Sequence, residues 1–445
     1  MNLEKLFNNI KNPLDDETVA KLLGIYASDN DFYSELVKGN LQGKTINLVK
    51  TVDRDMFYAT LFNKWKSAIL DTSKERYLEL LNKGTYKENF VKMRNYLKTV
   101  PDVKTSLEAS NIVNKEYSDK DLENAFHDYS WNSFGAYSGW EHVCSRYVTA
   151  RKDSYPNIEH RLYLNIDSTD IYGFMNEFIS ECDEQGLIYY FKFSEGANRD
   201  DSIVIYSSTE DLVKYYNITN SIIKKLNIKL HKPPMLSGII EDNIGYGSEP
   251  YNVNGKNESF NSSRAKVIQD TLNYQMQIWI NNNIYTNVDY KGSSYPLYKY
   301  VAIMLTNKLY KRCLNRDENL KGNFDEIARI KNEIYNSIVR EVLPNIIAMG
   351  KSSVVSDIPV KLSDGRVHYI YPGDFSSVIK EKYVEAVLSD PREIGNIKNS
   401  IMKSASNAGI YADKFCFDSH ALNRMIQVSR EQKEIENQSG GSSRN

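Results

Sequence analysis

The sequence predicts an α+β fold: a helical N-terminal domain, a mixed sheet with helices packed on it, and a mainly helical C-terminal part. Three observations carry this expectation. The first 125 residues show helical apolar spacing, residues 160–206 read as strand, helix, strand and strand with period-two alternation in the first two strands, and the C-terminal part from residue 297 is again mainly helical. At 445 residues the chain is too long for one core, so several domains are expected. We place the boundaries at 1–125 for the helical domain, 126–425 for the α+β domain and 426–445 for a flexible polar tail.

Within residues 1–125, Asp15, Asp16 and Glu17 precede Val19, Leu22, Leu23 and Tyr26, an apolar face with acids in its first turn. Further helices are expected over 56–70, 74–81 and 86–97, with Pro101 as a stop. No catalytic constellation falls here, and the region reads as a targeting, chaperone-binding or packing domain. From residue 129 to 147 aromatic residues are punctuated by glycine (Trp131, Phe134, Gly135, Tyr137, Gly139, Trp140), a lead-in to the sheet. His142 in this stretch reads as an ordinary surface or hydrogen-bonded histidine.

The strand-like stretch comes next. Arg161, Tyr163 and Asn165 alternate with Leu162, Leu164 and Ile166, so a strand here buries the aliphatic set and presents a guanidinium, a phenol and an amide together. His160 falls on the aliphatic side. A helix follows through Ile171, Phe174, Met175, Phe178 and Ile179, capped near Asp170 and ended by Gly186. In the next strand Lys192 shares a face with Tyr190 while Phe191 and Phe193 point away. The segment 203–206 is nearly all apolar, as expected of a strand covered on both faces. Residues 211–229 read as a helix, and 238–257, rich in Gly, Asn and Pro, as a long surface loop. That loop leads to a helix whose first turns hold Ser263 and Arg264, where an arginine and a helix N-terminus suit an anion. Helices are expected over 297–314, 323–348 and 376–388, with a hairpin around Ser363, Asp364 and Gly365 inside 359–371.

Composition excludes several classes. A formal charge of −2 gives no support to nucleic-acid binding. The longest apolar runs, 300–305 and 346–349, fall far short of the roughly 20 residues a membrane span needs, and the acidic N-terminus does not resemble a secretory signal. The cysteines Cys144, Cys182, Cys313 and Cys416 form no close pair, so reduced buried thiols in a reducing compartment are the plain reading. The histidines show no ligand-like spacing, so neither a metal nor an organic cofactor is implied. The 32 tyrosines reflect codon bias more than function.

Taken in order, Arg161-x-Tyr163-x-Asn165, the strand from Gly186 to Lys192, Arg199-x-Asp201 with Val204-Ile205-Tyr206, and Glu258-Ser259-Phe260 with Arg264 resemble the HopA-type effector family. That family is known from type III secretion effectors of plant-pathogenic bacteria and from bacterial peptide-modification clusters, and the resemblance spans roughly residues 130–420, reaching Ala408-Gly409-Ile410. Its members in lanthipeptide and thioamide-peptide pathways look like phospholyases and are distantly similar to phosphothreonine lyases. The resemblance therefore implies β-elimination of phosphate from a phosphorylated Ser or Thr in a peptide or protein, with a separate kinase as partner. Lys192 would be the base, with Arg161, Arg199 and Arg264 binding phosphate. Asn165, Asp201 and Tyr206 would support the site, Asp201 as an arginine's structural partner and Tyr206 as site wall or core.

Tyr163 stands where phosphothreonine lyases carry a histidine. It would act as the acid if the same cations lower its pKa from about 10, or phosphate departs without an acid. Singly, Arg161 or Lys192 reads as a solvated strand residue; only the ordered set reads as a site. Two other readings stay open: a non-catalytic effector that holds an acidic or phosphorylated segment, and a virion or injected cargo protein of a mobile element. The resemblance places the protein in the cytoplasm of the producing bacterium, or in a target cell reached by a non-classical secretion route.

Overall fold

The computed structural model describes residues 2–28, 31–37, 57, 134–137, 140–144, 158–194, 199–250, 258–316, 323–342, 344 and 357–441. The chain divides into two units interleaved along the sequence. The first holds Met1–Pro13, Val37–Phe260 and Gly409–Asn445, and the second Leu14–Leu36 and Asn261–Ala408. Of the helices expected over 56–97, only Phe57 lies within the described residues.

The first unit begins with α1 (Leu3–Asn9), capped by the Asn2 side chain, which accepts from the Lys5 amide at 2.9 Å. The second unit holds α2 (Asp16–Ala27) and α3 (Phe32–Val37, whose last residue falls in the first unit). Asp15 caps α2, accepting from the Thr18 amide at 2.7 Å, and Asp16 and Glu17 are the first-turn acids the sequence predicts.

The centre of the first unit is an antiparallel sheet. Its strands are β1 (Phe134–Tyr137), β2 (Trp140–Cys144), β3 (His160–Leu164), β4 (Tyr190–Phe193), β5 (Ile203–Ser207), β6 (Gly238–Ile239) and β7 (Gly245–Ser248). They lie in the order β1-β2-β4-β5-β3-β7-β6. The glycine-punctuated aromatic stretch is thus the hairpin β1–β2, with Tyr137 opposite Trp140. Between strands run α4 (Ile171–Glu184) and α5 (Leu212–Lys225). Gly186, at φ +67°, ends α4 as expected. Both helices bury their apolar stripes on the sheet face that carries Phe191, Ile205 and Leu162: Phe178 meets Phe191 edge-on at 5.7 Å, and the Tyr215 hydroxyl donates to the Ile188 carbonyl at 2.7 Å. Each such fully buried side chain contributes about 1.5–3 kcal/mol of hydrophobic stabilisation.

The segment 238–257 is not a surface loop throughout. Gly238–Ile239 is a short strand and Gly245–Ser248 a buried one, and β7 pairs along β3 with Gly245 opposite Tyr163 and Gly247 opposite Arg161; 251–257 lie outside the described residues. The glycines that suggested a loop are instead there for clearance. A Cβ on Gly245 would stand 2.6 Å from the Pro233 Cβ and 2.9 Å from the Tyr163 Cβ, and one on Gly247 would stand 3.0 Å from the Phe260 ring. The edge beyond β6 is closed by a backbone bridge to Lys11, and Ser248 donates its amide to the Cys416 carbonyl at 3.0 Å.

In the second unit, α6 (Phe260–Asn283, Phe260 itself in the first unit) is followed by the hairpin β8 (Asn287–Tyr290) and β9 (Ser293–Pro296), then α7 (Leu297–Arg316) and α8 (Phe324–Ser337), which runs into a π-turn at Ile338–Val342. The expected hairpin is β10 (Ile358–Lys361) with β11 (Val367–Ile370), turning at Gly365 with φ +86°. Then come α9 (Pro372–Leu388) and α10 (Pro391–Asn407), the latter unforeseen despite its Asp390 cap and Pro391 start. The last element, α11 (Ser419–Gly441), returns to the first unit. Over residues 426–441 it replaces the expected flexible tail with helix, Val428 being buried; 442–445 lie outside the described residues.

Gly245→Ala should destabilise the protein by about 1–3 kcal/mol through overpacking against Pro233 and Tyr163. Urea unfolding would show this as a lower midpoint at unchanged slope.

Candidate functional site

Antiparallel pairing puts directly opposed residues on one face, and two cross-strand rows follow from the register. One row runs His142, Lys192, Val204, Tyr163, Gly245; the next holds Tyr190, Tyr206, Arg161, Gly247. Trp140 lies two residues before His142 on the same side. Six polar side chains from four strands therefore share the face opposite α4 and α5: His142, Lys192, Tyr190, Tyr206, Arg161 and Tyr163.

The cations on this face rest on aromatic rings. The Lys192 amine lies 4.2 Å from the Trp140 ring centre, the Arg199 guanidinium 4.9 Å from the same ring, and the Arg161 guanidinium 5.0 Å from that of Tyr206. Tyr206 stacks on Tyr190 at 4.6 Å, and the Tyr190 hydroxyl lies 2.7 Å from Nδ1 of His142.

Two arginines carry carboxylates. Glu249, just past β7, takes Arg161 in a two-pronged pair, with Nη2 donating to Oε2 at 2.7 Å and Nε donating to Oε1. Asp201 accepts from Nε of Arg199 at 2.8 Å and from Nη2 at 3.3 Å. Asn165 reaches away from the cluster: its amide nitrogen donates to the Lys232 carbonyl at 2.6 Å and to Asp200 at 3.2 Å, which ties down the turn that holds Arg199 and Asp201. Arg264 is fully buried in α6 of the second unit, and the cluster described here comes from the first unit alone.

Burial sets the electrostatics. It pulls the Lys192 amine down to about 8, Arg161 and Arg199 pushing the same way while Asp201 and Glu249 oppose them. Burial works against the charge of Arg161, but its neighbours, the ion-paired Glu249 carboxylate among them, hold its pKa above the ordinary value. Burial holds His142 down at about 4, with Lys192 adding to the effect. Tyr163 departs from expectation. Only 1% exposed, its phenol is pushed above the ordinary value because the cost of a buried phenolate exceeds the pull of Arg161. The cations do not lower it. Its hydroxyl has no hydrogen-bond partner among the described residues and stays protonated, available as a donor. Tyr206 is likewise pushed up by burial, to about 12. On the opposite face His160 lies between Tyr246 at 2.7 Å and Thr209 at 2.8 Å, held at about 3 by burial, a core histidine as its alternation implied.

Sequence alone missed Trp140, His142 and Glu249. The parity of Trp140 and His142 could have placed them on the face of Lys192 had β2 been recognised; nothing local marks Glu249. No group of three or more possible metal-binding side chains occurs among the described residues, and no helix among them is long and apolar enough to cross a membrane.

The geometry defines an α+β protein with a cationic, aromatic-lined cluster on one sheet face. Residues 143–291 match the model of the HopA1 effector protein family, and over this third of its length the chain is HopA1-effector-like. The match is narrower than the resemblance read over 130–420. It includes Arg161, Lys192, Arg199, Glu249 and Arg264, and leaves Trp140 and His142 just outside. The effector protein from Pseudomonas syringae pv. syringae strain 61 is similar at 12% identity, over 61% of this chain and 96% of its own, with a TM-score of 0.33. The effector from P. syringae pv. tomato strain DC3000 is similar at 12% identity, over 61% and 95%, with a TM-score of 0.29. No curated protein matches the chain.

Lys192 should titrate near 8, against about 10.4 for exposed lysines. Reductive 13C-methylation followed by NMR would read this, and Arg161→Gln should move the midpoint up. The folded chain releases this proton at lower pH than the unfolded one, so the group adds stability as pH rises from about 8 to about 10.5 and costs stability below that window.

Proposed function

We propose that this protein is a phospholyase that removes phosphate from a phosphorylated serine or threonine in a peptide or protein by β-elimination. The observation that carries the reading is Lys192: an amine held near 8 by burial, on the same sheet face as Arg161 and Tyr163. With that pKa about a tenth of the amine is neutral at pH 7, far more than for an exposed lysine.

In this reaction the Lys192 lone pair takes the α-proton. The C–H electrons become the Cα=Cβ bond, the Cβ–O bond breaks, and phosphate leaves with that electron pair, giving a dehydroamino acid. Arg161 binds the phosphate by exchanging Glu249 for its oxygens, and Arg199, oriented by Asp201, adds its charge. Tyr163, protonated throughout the working range, donates a hydrogen bond to the departing oxygen and keeps its proton. Trp140 fixes the amine in place through its ring face. Asn165, Asp201 and Tyr206 hold the frame: Asn165 the turn, Asp201 the guanidinium of Arg199 and Tyr206 that of Arg161. Arg264 enters no step here. A separate kinase would supply the substrate, either in the producing bacterium or in a target cell, as the effector likeness of residues 143–291 suggests.

A second reading, a module that only holds a phosphorylated or acidic segment, is favoured by one observation: burial holds the Tyr163 phenol above its ordinary value, so it does not give up a proton to a leaving phosphate.

Incubation with a phosphothreonine peptide separates the two. The lyase reading expects loss of one phosphoric acid from the peptide mass, abolished in Lys192→Ala and reduced by a factor of about 10²–10⁴ in Arg161→Ala. Binding without a mass change leaves the module.

A further inference from the structure

We propose that Glu249 is a specificity-determining residue: an internal anion seated in the Arg161 fork that a phosphate ester displaces and a carboxylate does not. The proposal rests on the reading that Arg161 binds phosphate.

Glu249 engages Nε and Nη2 of Arg161, the two donors a bidentate ligand would use. Arg161 is 9% exposed and its hydrogen bonds run to this carboxylate. The backbone of Glu249 is fixed, since its amide donates to the Glu159 carbonyl at 2.8 Å as the ladder between β3 and β7 runs on. Its side chain is less confined, with 18% of its surface open, so it can swing out while the strand stays in place.

An incoming ligand is therefore measured against a group already bound. An aspartate or glutamate side chain would replace a carboxylate with a carboxylate, gaining nothing in charge or geometry. A phosphomonoester brings nearly two negative charges and three acceptor oxygens, so it fills the same fork and has oxygens left for Arg199 or the Tyr163 hydroxyl. Discrimination is a difference between affinities, and a built-in competitor lowers the affinity of every anion that is no better than itself. Acidic segments, abundant on protein surfaces, are thereby kept out of a site that carries several cations. Removing the carboxylate while keeping its shape leaves a buried guanidinium without its anion, which is an unselective anion hole.

The test uses the full chain carrying Lys192→Ala, so that substrate is not consumed, and three peptides identical except for phosphothreonine, aspartate or threonine at one position. Fluorescence anisotropy at fixed ionic strength should show the phosphopeptide binding at least about tenfold tighter than the aspartate peptide. Adding Glu249→Gln should tighten the aspartate peptide by about tenfold and shrink the preference to about threefold or less. An unchanged preference, or equal weakening of both peptides, would make Glu249 only a strut for Arg161 and overturn the proposal, as would failure of both peptides to bind in either variant. If Glu249→Gln folds poorly, Glu249→Asp, whose carboxylate reaches less far, should narrow the preference in the same direction; an unchanged preference there also overturns it. Selective binding by the unmodified chain without elimination sinks the proposed reaction and leaves this role standing. Elimination with an unaltered preference in Glu249→Gln sinks this role alone.

Discussion

The register of β3 between β5 and β7 is the constraint on which the site depends. A slip of one residue would turn Arg161 and Tyr163 into the layer under α4 and α5 and send Leu162 and Leu164 to the other side. The aliphatic face prevents this, because Leu162, Leu164, Ile203, Ile205, Phe191 and Phe193 are all fully buried and would lose that burial together. Apolar packing on one side of the sheet thus holds the charged groups in line on the other.

That arrangement places positive groups close together in poorly solvated surroundings, which is costly unless each has compensation. The structure supplies two kinds. Aromatic faces at Trp140 and Tyr206 accept the cations without neutralising them, whereas Glu249 and Asp201 do neutralise the two arginines. Lys192 has the ring but no carboxylate of its own among the described residues, and it is the group whose charge burial most readily removes. The guanidinium groups keep their charge by their own basicity, whereas the buried Lys192 amine, lacking an ion-pair partner among the described residues, gives its charge up near pH 8.

Much of this layout could be read from the sequence, and the failures have physical causes. Alternation in residues 160–166 and 190–193 separates core face from polar face correctly, since strand parity is local. Pairing is not local, so nothing near Trp140, His142 or Glu249 shows that they meet Lys192 and Arg161. Gly238, Gly245 and Gly247 misled because glycine signals both turns and close approach, and only the neighbours Ile10, Pro233, Tyr163 and Phe260 tell which. The pKa of Tyr163 went the other way because charge partners were weighed and burial was not. Residues 426–441 were misjudged because their polar composition hides the buried Val428, which continues the apolar side of α11 begun by Met425.

The bond between Ser248 and Cys416 has an implication for how the molecule is made. The serine hydroxyl reaches a carbonyl 168 positions further along, and the rings of Tyr246 and Phe417 lie 4.5 Å apart on the same seam. While the ribosome is still translating the stretch from Asn261 to Ala408, β7 has no such neighbour, and the nascent first unit must wait with that seam open. Completion comes late in synthesis, so a truncation before residue 416 would remove more than a terminal helix: it would leave the strand beside Arg161 and Tyr163 without its flank.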